Sequence, residues 1–93
     1  MRVRYTSPAL NQVADILNQI VDDNSEGAHN VSKAIDRCVA LAAFMPKLGR
    51  HVPERVGVFS MLARPYSYRV TYRVHGRELE ILAVVHTARE KTT

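Results

Sequence analysis

Residues 68 to 75, YRVTYRVH, alternate strictly between apolar and polar side chains. Tyr68, Val70, Tyr72 and Val74 fall on one side, and Arg69, Thr71, Arg73 and His75 on the other. A period of two is the pattern of a half-buried strand. Gly76-Arg77 follows, and glycine at the first central position suits a two-residue hairpin loop. The next stretch, Leu79 to Val85, is apolar at nearly every position, as in a strand covered on both faces. With His75 opposite Glu78, the pairing runs on as Val74–Leu79, Arg73–Glu80, Tyr72–Ile81 and Val70–Ala83. The inner face then holds Leu79, Ile81, Ala83 and Val85. The outer face collects Arg69, Thr71, Arg73, Glu80 and His86, with Leu82 and Val84 among them. A slip of one residue would bury the arginines, so the register is well specified.

The rest of the chain supplies partners for this hairpin. Residues 2 to 6, RVRYT, alternate with Val3 and Tyr5 inward and predict a short first strand. Ser7-Pro8 is a helix start, with serine as the cap and proline in the first turn. Leu10, Val13, Ala14, Leu17, Ile20 and Val21 then recur at helical spacing as one apolar stripe. Asn24 or Ser25 caps a second helix, with Glu26 in the first turn where the helix dipole favours an anion. Its stripe is Val31, Ala34, Ile35, Cys38, Leu41, Ala42 and Met45, and Pro46 ends it. The short link predicts an antiparallel helical hairpin. Residues 46 to 55 read as a basic loop, 56 to 62 as an edge strand loosened by Gly57, and 86 to 93 as an irregular tail. The order is β-α-α-β-β-β in a single domain over residues 1–93, an α+β fold with the helical hairpin on one face of a small, mainly antiparallel sheet.

Composition narrows the partners. Thirteen Lys and Arg against nine Asp and Glu give a net charge of +4, which favours anionic partners. Cys38 is the one cysteine and lies on the apolar stripe, so it reads as a small core residue without a disulfide partner. No spacing suits a metal or a cofactor, and no glycine-rich phosphate loop or hydrolase motif is present. The longest apolar run, residues 39 to 45, is too short to span a membrane, and no signal peptide is visible, so a cytoplasmic protein is expected.

Two kinds of chemistry fit the outer sheet face. In the first it is a docking surface. Arg69 and Arg73 offer charge to carboxylates or phosphates, Leu82, Val84 and His86 lie beside them, and Arg64 and Arg89 stand at the margins. In the second it is a metal-independent ribonuclease site. His86 would move protons, Arg69, Arg73 and Arg89 would hold the phosphate, and Tyr66, Tyr68 or Tyr72 would stack on a base.

The sequence resembles the RelE/ParE superfamily of bacterial type II toxins, and its ParE branch in particular. The resemblance is carried by Ser7-Pro8-Ala9-Leu10, by Pro46 with Leu48-Gly49-Arg50, by Pro65 to Val74, and by Leu79 to Arg89. It implies a toxin neutralised by a ParD-like antitoxin in a hetero-oligomer, with DNA gyrase as target in the ParE branch. The RelE-like alternative is ribosome-dependent mRNA cleavage. The ribonuclease members carry a Lys-x-Lys pair where this chain has Ser60 and Leu62, and they use a C-terminal tyrosine or histidine that this chain lacks. Arg69 and Arg89 keep their counterparts. In many ParE-like sequences the final strand has a basic residue where this chain has Ala83. The resemblance therefore implies a toxin without a catalytic centre. Its antitoxin would meet Arg69, Arg73, Leu82, Val84 and His86, and its target would meet Arg64 and Arg89. Were it a ribonuclease, Arg69, His86 and Arg89 would be the catalytic set.

Overall fold

The structure, a computed structural model, describes residues 1–90. The chain runs β1 (Arg2–Tyr5), α1 (Ser7–Val21), α2 (Ser25–Phe44), a 3-10 turn, β2 (Arg50–His51), β3 (Val58–Leu62), β4 (Tyr68–His75), β5 (Glu78–His86) and a second 3-10 turn, Thr87–Arg89. The sheet order is β1-β5-β4-β3-β2, with β1 parallel to β5 and every other pair antiparallel. Both helices lie on the face that carries Val70, Tyr72, Leu79, Ile81 and Val84, and this α+β packing is the one expected. Two details were not expected. The loop over residues 46–55 contains β2, and the tail contains the second 3-10 turn. The expected irregularity at residues 91–93 lies outside the described residues.

Thr6, one residue earlier than expected, caps α1. Its hydroxyl accepts from the Ala9 amide at 3.3 Å and donates to the Ile81 carbonyl at 2.9 Å. One side chain therefore starts the helix and pins it to β5. The core face of α1 is Ala9, Val13, Ile16, Leu17 and Ile20. Leu10, Ala14 and Val21, expected inside, are exposed. Each follows a core residue by one position and is turned ~100° away from the sheet. On α2 the buried set is Ala28, Val31, Ala34, Ile35, Cys38, Val39 and Ala42. Leu41 and Met45, also expected inside, are exposed: Leu41 lies beside the core residue Ala42 on the turned-away side, and Met45 is the cap after the last helical residue. Asn24 caps α2 through its side-chain oxygen, which accepts from the Gly27 amide at 2.8 Å. Val3 is exposed because β1 is an edge strand, whereas Tyr5 packs on the core.

The hairpin obeys the expected register only in part. His75–Glu78, Val74–Leu79, Arg73–Glu80 and Tyr72–Ile81 pair as foreseen, and Gly76 has the positive φ, +61°, of the turn position. Leu82 is then a bulge. Thr71 pairs with Ala83, Val70 with Val84, Arg69 with Val85 and Tyr68 with His86. An extra residue on one strand reverses the facing of everything beyond it. Val84 thus joins Ile81 in the core at 1% exposure. Ala83 and Val85, expected inward, take the outward phase of Thr71 and Arg69.

Candidate functional site: an arginine face and its edge cleft

On the helix-free face, β4 presents Arg69, Thr71 and Arg73, β5 presents Glu80, Ala83 and Val85, and β3 presents Ser60 and Leu62. The bulge removes two of the five residues expected to meet an antitoxin there, Val84 and His86. Val84 is a core residue beneath α1, and the side-chain oxygen of Gln12 accepts from its amide at 2.8 Å. His86 pairs with Tyr68 and takes the helix-side phase, with its ring edge-on to that tyrosine at 5.1 Å. Leu82 sits half-buried in the bulge. Arg69 and Arg73 keep their places. Arg73 lies opposite Glu80 as expected, but the Glu80 carboxylate is paired with Arg4. Arg4 also holds Glu78 at 2.9 Å, and this hydrogen bond lowers the Glu78 carboxyl from its ordinary range. Among the described residues, no ion pair engages Arg73.

Arg69 is the most constrained of these cations. It donates to the Ser60 hydroxyl at 3.3 Å and pairs with Glu90 at 2.6 Å. Ser60 is the buried polar residue of β3, and a charged partner stabilises it better than a neutral one would. Beyond Arg69 the face curls round the edge of β3 into a cleft of about 500 Å³ between that strand and α2. Arg37, Arg50, Arg64 and Arg69 line it, over an apolar floor of Cys38, Leu41, Met61 and Leu62. Arg37 and Arg50 carried no signal as site residues in the sequence. Arg37 is one of several charges on the polar side of α2, and Arg50 lies in a segment whose strand is only two residues long. Burial pushes the Cys38 thiol up to about 11, which keeps it protonated and inert at neutral pH.

His86 and Arg89 lie elsewhere. They line a groove of about 270 Å³ between α1 and the end of β5, together with Gln12, Asp15, Gln19 and Tyr68. The His86 Nδ1 accepts from the Ala88 amide at 3.0 Å, leaving Nε2 as the free ring nitrogen. Arg89 donates to Gln19 at 3.5 Å. The trio Arg69, His86 and Arg89 is therefore divided, with Arg69 on the helix-free face and the other two beside α1. Arg64 and Arg89 are divided too, the first in the cleft between β3 and α2 and the second in the groove beside α1. Among the described residues, no group of His, Cys, Asp and Glu is arranged to hold a metal, and no helix is long and apolar enough to cross a membrane.

No curated protein matches the chain at a significant level. A solved structure described as the chromosomal ParDE TA system from P. aeruginosa matches with a TM-score of 0.77 at 23% identity, over 92% of this chain and 95% of that one. At that identity the likeness concerns the fold: two helices on a five-stranded mixed sheet. The sequence model of the family described as "ParE toxin of type II toxin-antitoxin system, parDE" matches residues 3–91. Because that match spans nearly the whole chain, the protein belongs to the ParE toxin family of type II toxin–antitoxin systems.

Proposed function

We propose that this ParE-family toxin acts in the cytoplasm as a non-enzymatic inhibitor of DNA gyrase and is held inactive by a ParD-like antitoxin. The observation that supports the non-enzymatic reading is the separation of Arg69 from His86. Phosphodiester cleavage through the 2′-hydroxyl needs a proton-transfer group and a phosphate-binding cation around one phosphorus. Here the imidazole faces α1, while Arg69 is on the opposite side of the sheet and tied to Glu90 and Ser60. Ser60 and Leu62, where the ribonucleases carry lysines, add no charge to that face. The antitoxin surface is then the helix-free face around Arg69, Arg73 and Leu82. Arg89, exposed beside His86 in the separate groove, is left for the target.

Purified toxin, added to a gyrase supercoiling assay and in parallel to a ribosome-dependent mRNA cleavage assay, tests this reading. Inhibition of supercoiling that survives His86→Ala is expected, with no codon-positioned cuts. Cuts that vanish on changing Arg69 or His86 would overturn it.

A further inference from the structure

One end of the sheet gathers cations away from the edge cleft. β1, β3 and β5 begin at this end, and β2 and β4 finish there. Arg2 opens β1, Arg77 lies in the turn between β4 and β5, and Arg55 lies in the turn between β2 and β3. Arg73 is just inside, opposite Val58. The three exposed arginines are neighbours through the backbone. The Arg2 amide donates to the Arg77 carbonyl at 3.0 Å, and the Val74 amide donates to the Gly57 carbonyl at 3.0 Å, which joins the two turns. Glu78 and Glu80, the carboxylates at the start of β5, are both held by Arg4. Among the described residues, no ion pair engages Arg2, Arg55 or Arg77. The turn that carries Arg55 also displays an apolar tip, Val56, at 93% exposure. The turn is tied at its base: the Val52 amide donates to the Val58 carbonyl at 2.9 Å, and the Val58 amide donates to the Arg55 carbonyl at 3.1 Å. Glu54 holds a φ of +65° in it, a left-handed conformation that a residue with a Cβ adopts at a cost. The fold gains no burial from Val56. What the turn provides is a fixed apolar tip beside a guanidinium group.

We propose that this end of the sheet binds double-helical DNA, with Arg2, Arg55 and Arg77 on phosphates and Val56 in the adjoining groove. Exposed arginines without carboxylate partners, on a strand start and two adjacent turns, form the electrostatic footprint of a polyanion. The rest of the surface selects the duplex. A protein partner needs an apolar interface core, and Val56 offers a tip instead. A single strand needs open aromatic faces on which its bases stack. At this end Phe59 is already engaged by Tyr72 and by His51, with ring centroids 6.0 and 5.4 Å away. A duplex needs neither: guanidinium groups follow its backbone, and a short apolar tip fits its groove. This activity is separate from the inhibition of gyrase and requires no gyrase.

Fluorescence anisotropy of a labelled duplex of about twenty base pairs, titrated with the full-length toxin across a salt series, tests the proposal. A single strand of the same length and polyglutamate serve as comparisons, and neither gyrase nor antitoxin is present. Three phosphate contacts give log K a slope of about −2.7 against log salt, a loss of roughly fortyfold on going from ~50 to ~200 mM. Arg55→Gln and Arg77→Gln should each weaken binding and flatten that slope by about one. Val56→Ser should weaken binding about two- to fivefold with the slope unchanged, since it removes apolar contact and no charge. Arg55, Val56 and Arg77 are all exposed, so these variants keep the packed core. Lys33→Gln removes the same charge from the exposed side of α2 and should leave binding unchanged. No binding of the duplex at ~50 mM salt, tighter binding of the single strand or of polyglutamate, or an equal loss in Lys33→Gln would each overturn the proposal. So would a slope untouched by both arginine variants, or indifference to Val56→Ser.

Discussion

Gly49 links the end of α2 to the sheet, and replacing it with alanine should be among the costliest single-methyl changes in the protein. Its φ and ψ of −68° and 166° suit any residue, so the constraint is space. A Cβ at this position would overlap the Tyr72 hydroxyl and lie 2.8 Å from the Ser60 carbonyl oxygen. Tyr72 is fully buried and donates its hydroxyl to the Pro46 carbonyl at 2.5 Å. Neither neighbour can yield cheaply: one is a core ring and the other is backbone. Overpacking of this kind costs roughly 1–3 kcal/mol, and displacing the tyrosine hydrogen bond adds about 1 kcal/mol. For a domain of this size, a total of about 2–4 kcal/mol lowers Tm by about 8–30 °C. Tyr72→Phe alone should cost about 1–2 kcal/mol, because the Pro46 carbonyl loses its partner. The double variant should be less destabilised than the sum by about 1 kcal/mol, since removing the hydroxyl removes the main obstacle to the new methyl group. Urea denaturation of the four proteins followed by circular dichroism gives all the terms. A Gly49→Ala cost below about 0.5 kcal/mol, or strict additivity, would refute the reasoning.

Three further outcomes follow from the same geometry. Val84→Ala should cost about 2 kcal/mol and Val85→Ala much less, measured by urea denaturation, and equal costs would contradict the bulge at Leu82. Thr6→Val keeps the volume and removes the hydroxyl's hydrogen bonds to Ala9, Ile81 and Leu82, so a loss of about 1–2 kcal/mol with fraying of α1 in amide exchange is expected. The Glu78 carboxyl is lowered below its ordinary value of 4.5, chiefly by the hydrogen bond from Arg4. A lowered carboxylate contributes stability that is fully present above the unfolded value and is lost as pH falls through the folded value. Stability should therefore decline below pH 4.5 in the parent and less steeply in Arg4→Gln, compared by urea midpoints across an acid series.

The parts of the fold legible in the sequence were those with a period. Eight alternating residues fixed β4, and Gly76 fixed its turn, so four successive pairs fell where the pattern put them. The second strand carried no such information. From Leu79 to Val85 almost every side chain is apolar, so a change of phase leaves no mark in the sequence, and the bulge at Leu82 passed unseen. That single residue moved Val84 and His86 off the expected face and brought Val85 onto it. The helices show the same limit. Their spacing revealed that each had an apolar side, but a broad stripe does not say where its centre lies. Leu10, Val21 and Leu41 sit on its margin and remain in solvent. The cleft was illegible for a different reason. Arg37, Arg50, Arg64 and Arg69 come from separate elements, and only the close of the sheet brings them together.

The order of the strands has a consequence for how the toxin is made. β1 and β4 never touch in the sheet; β5 lies between them and pairs with both. Residues 2–5 therefore have no strand to join until residues 78–81 have been synthesised, and α1 waits for the same strand as its floor. Such long closures come late, because the entropy of the intervening chain is lost before the contacts repay it. A nascent or truncated chain lacking β5 keeps the antiparallel pairing of β2, β3 and β4 but loses the strand that joins β1 to them, the floor of α1 and one wall of the groove beside α1. Toxicity is thereby tied to completion of the last strand. A premature stop before Glu78 should yield a harmless fragment rather than a partly active toxin.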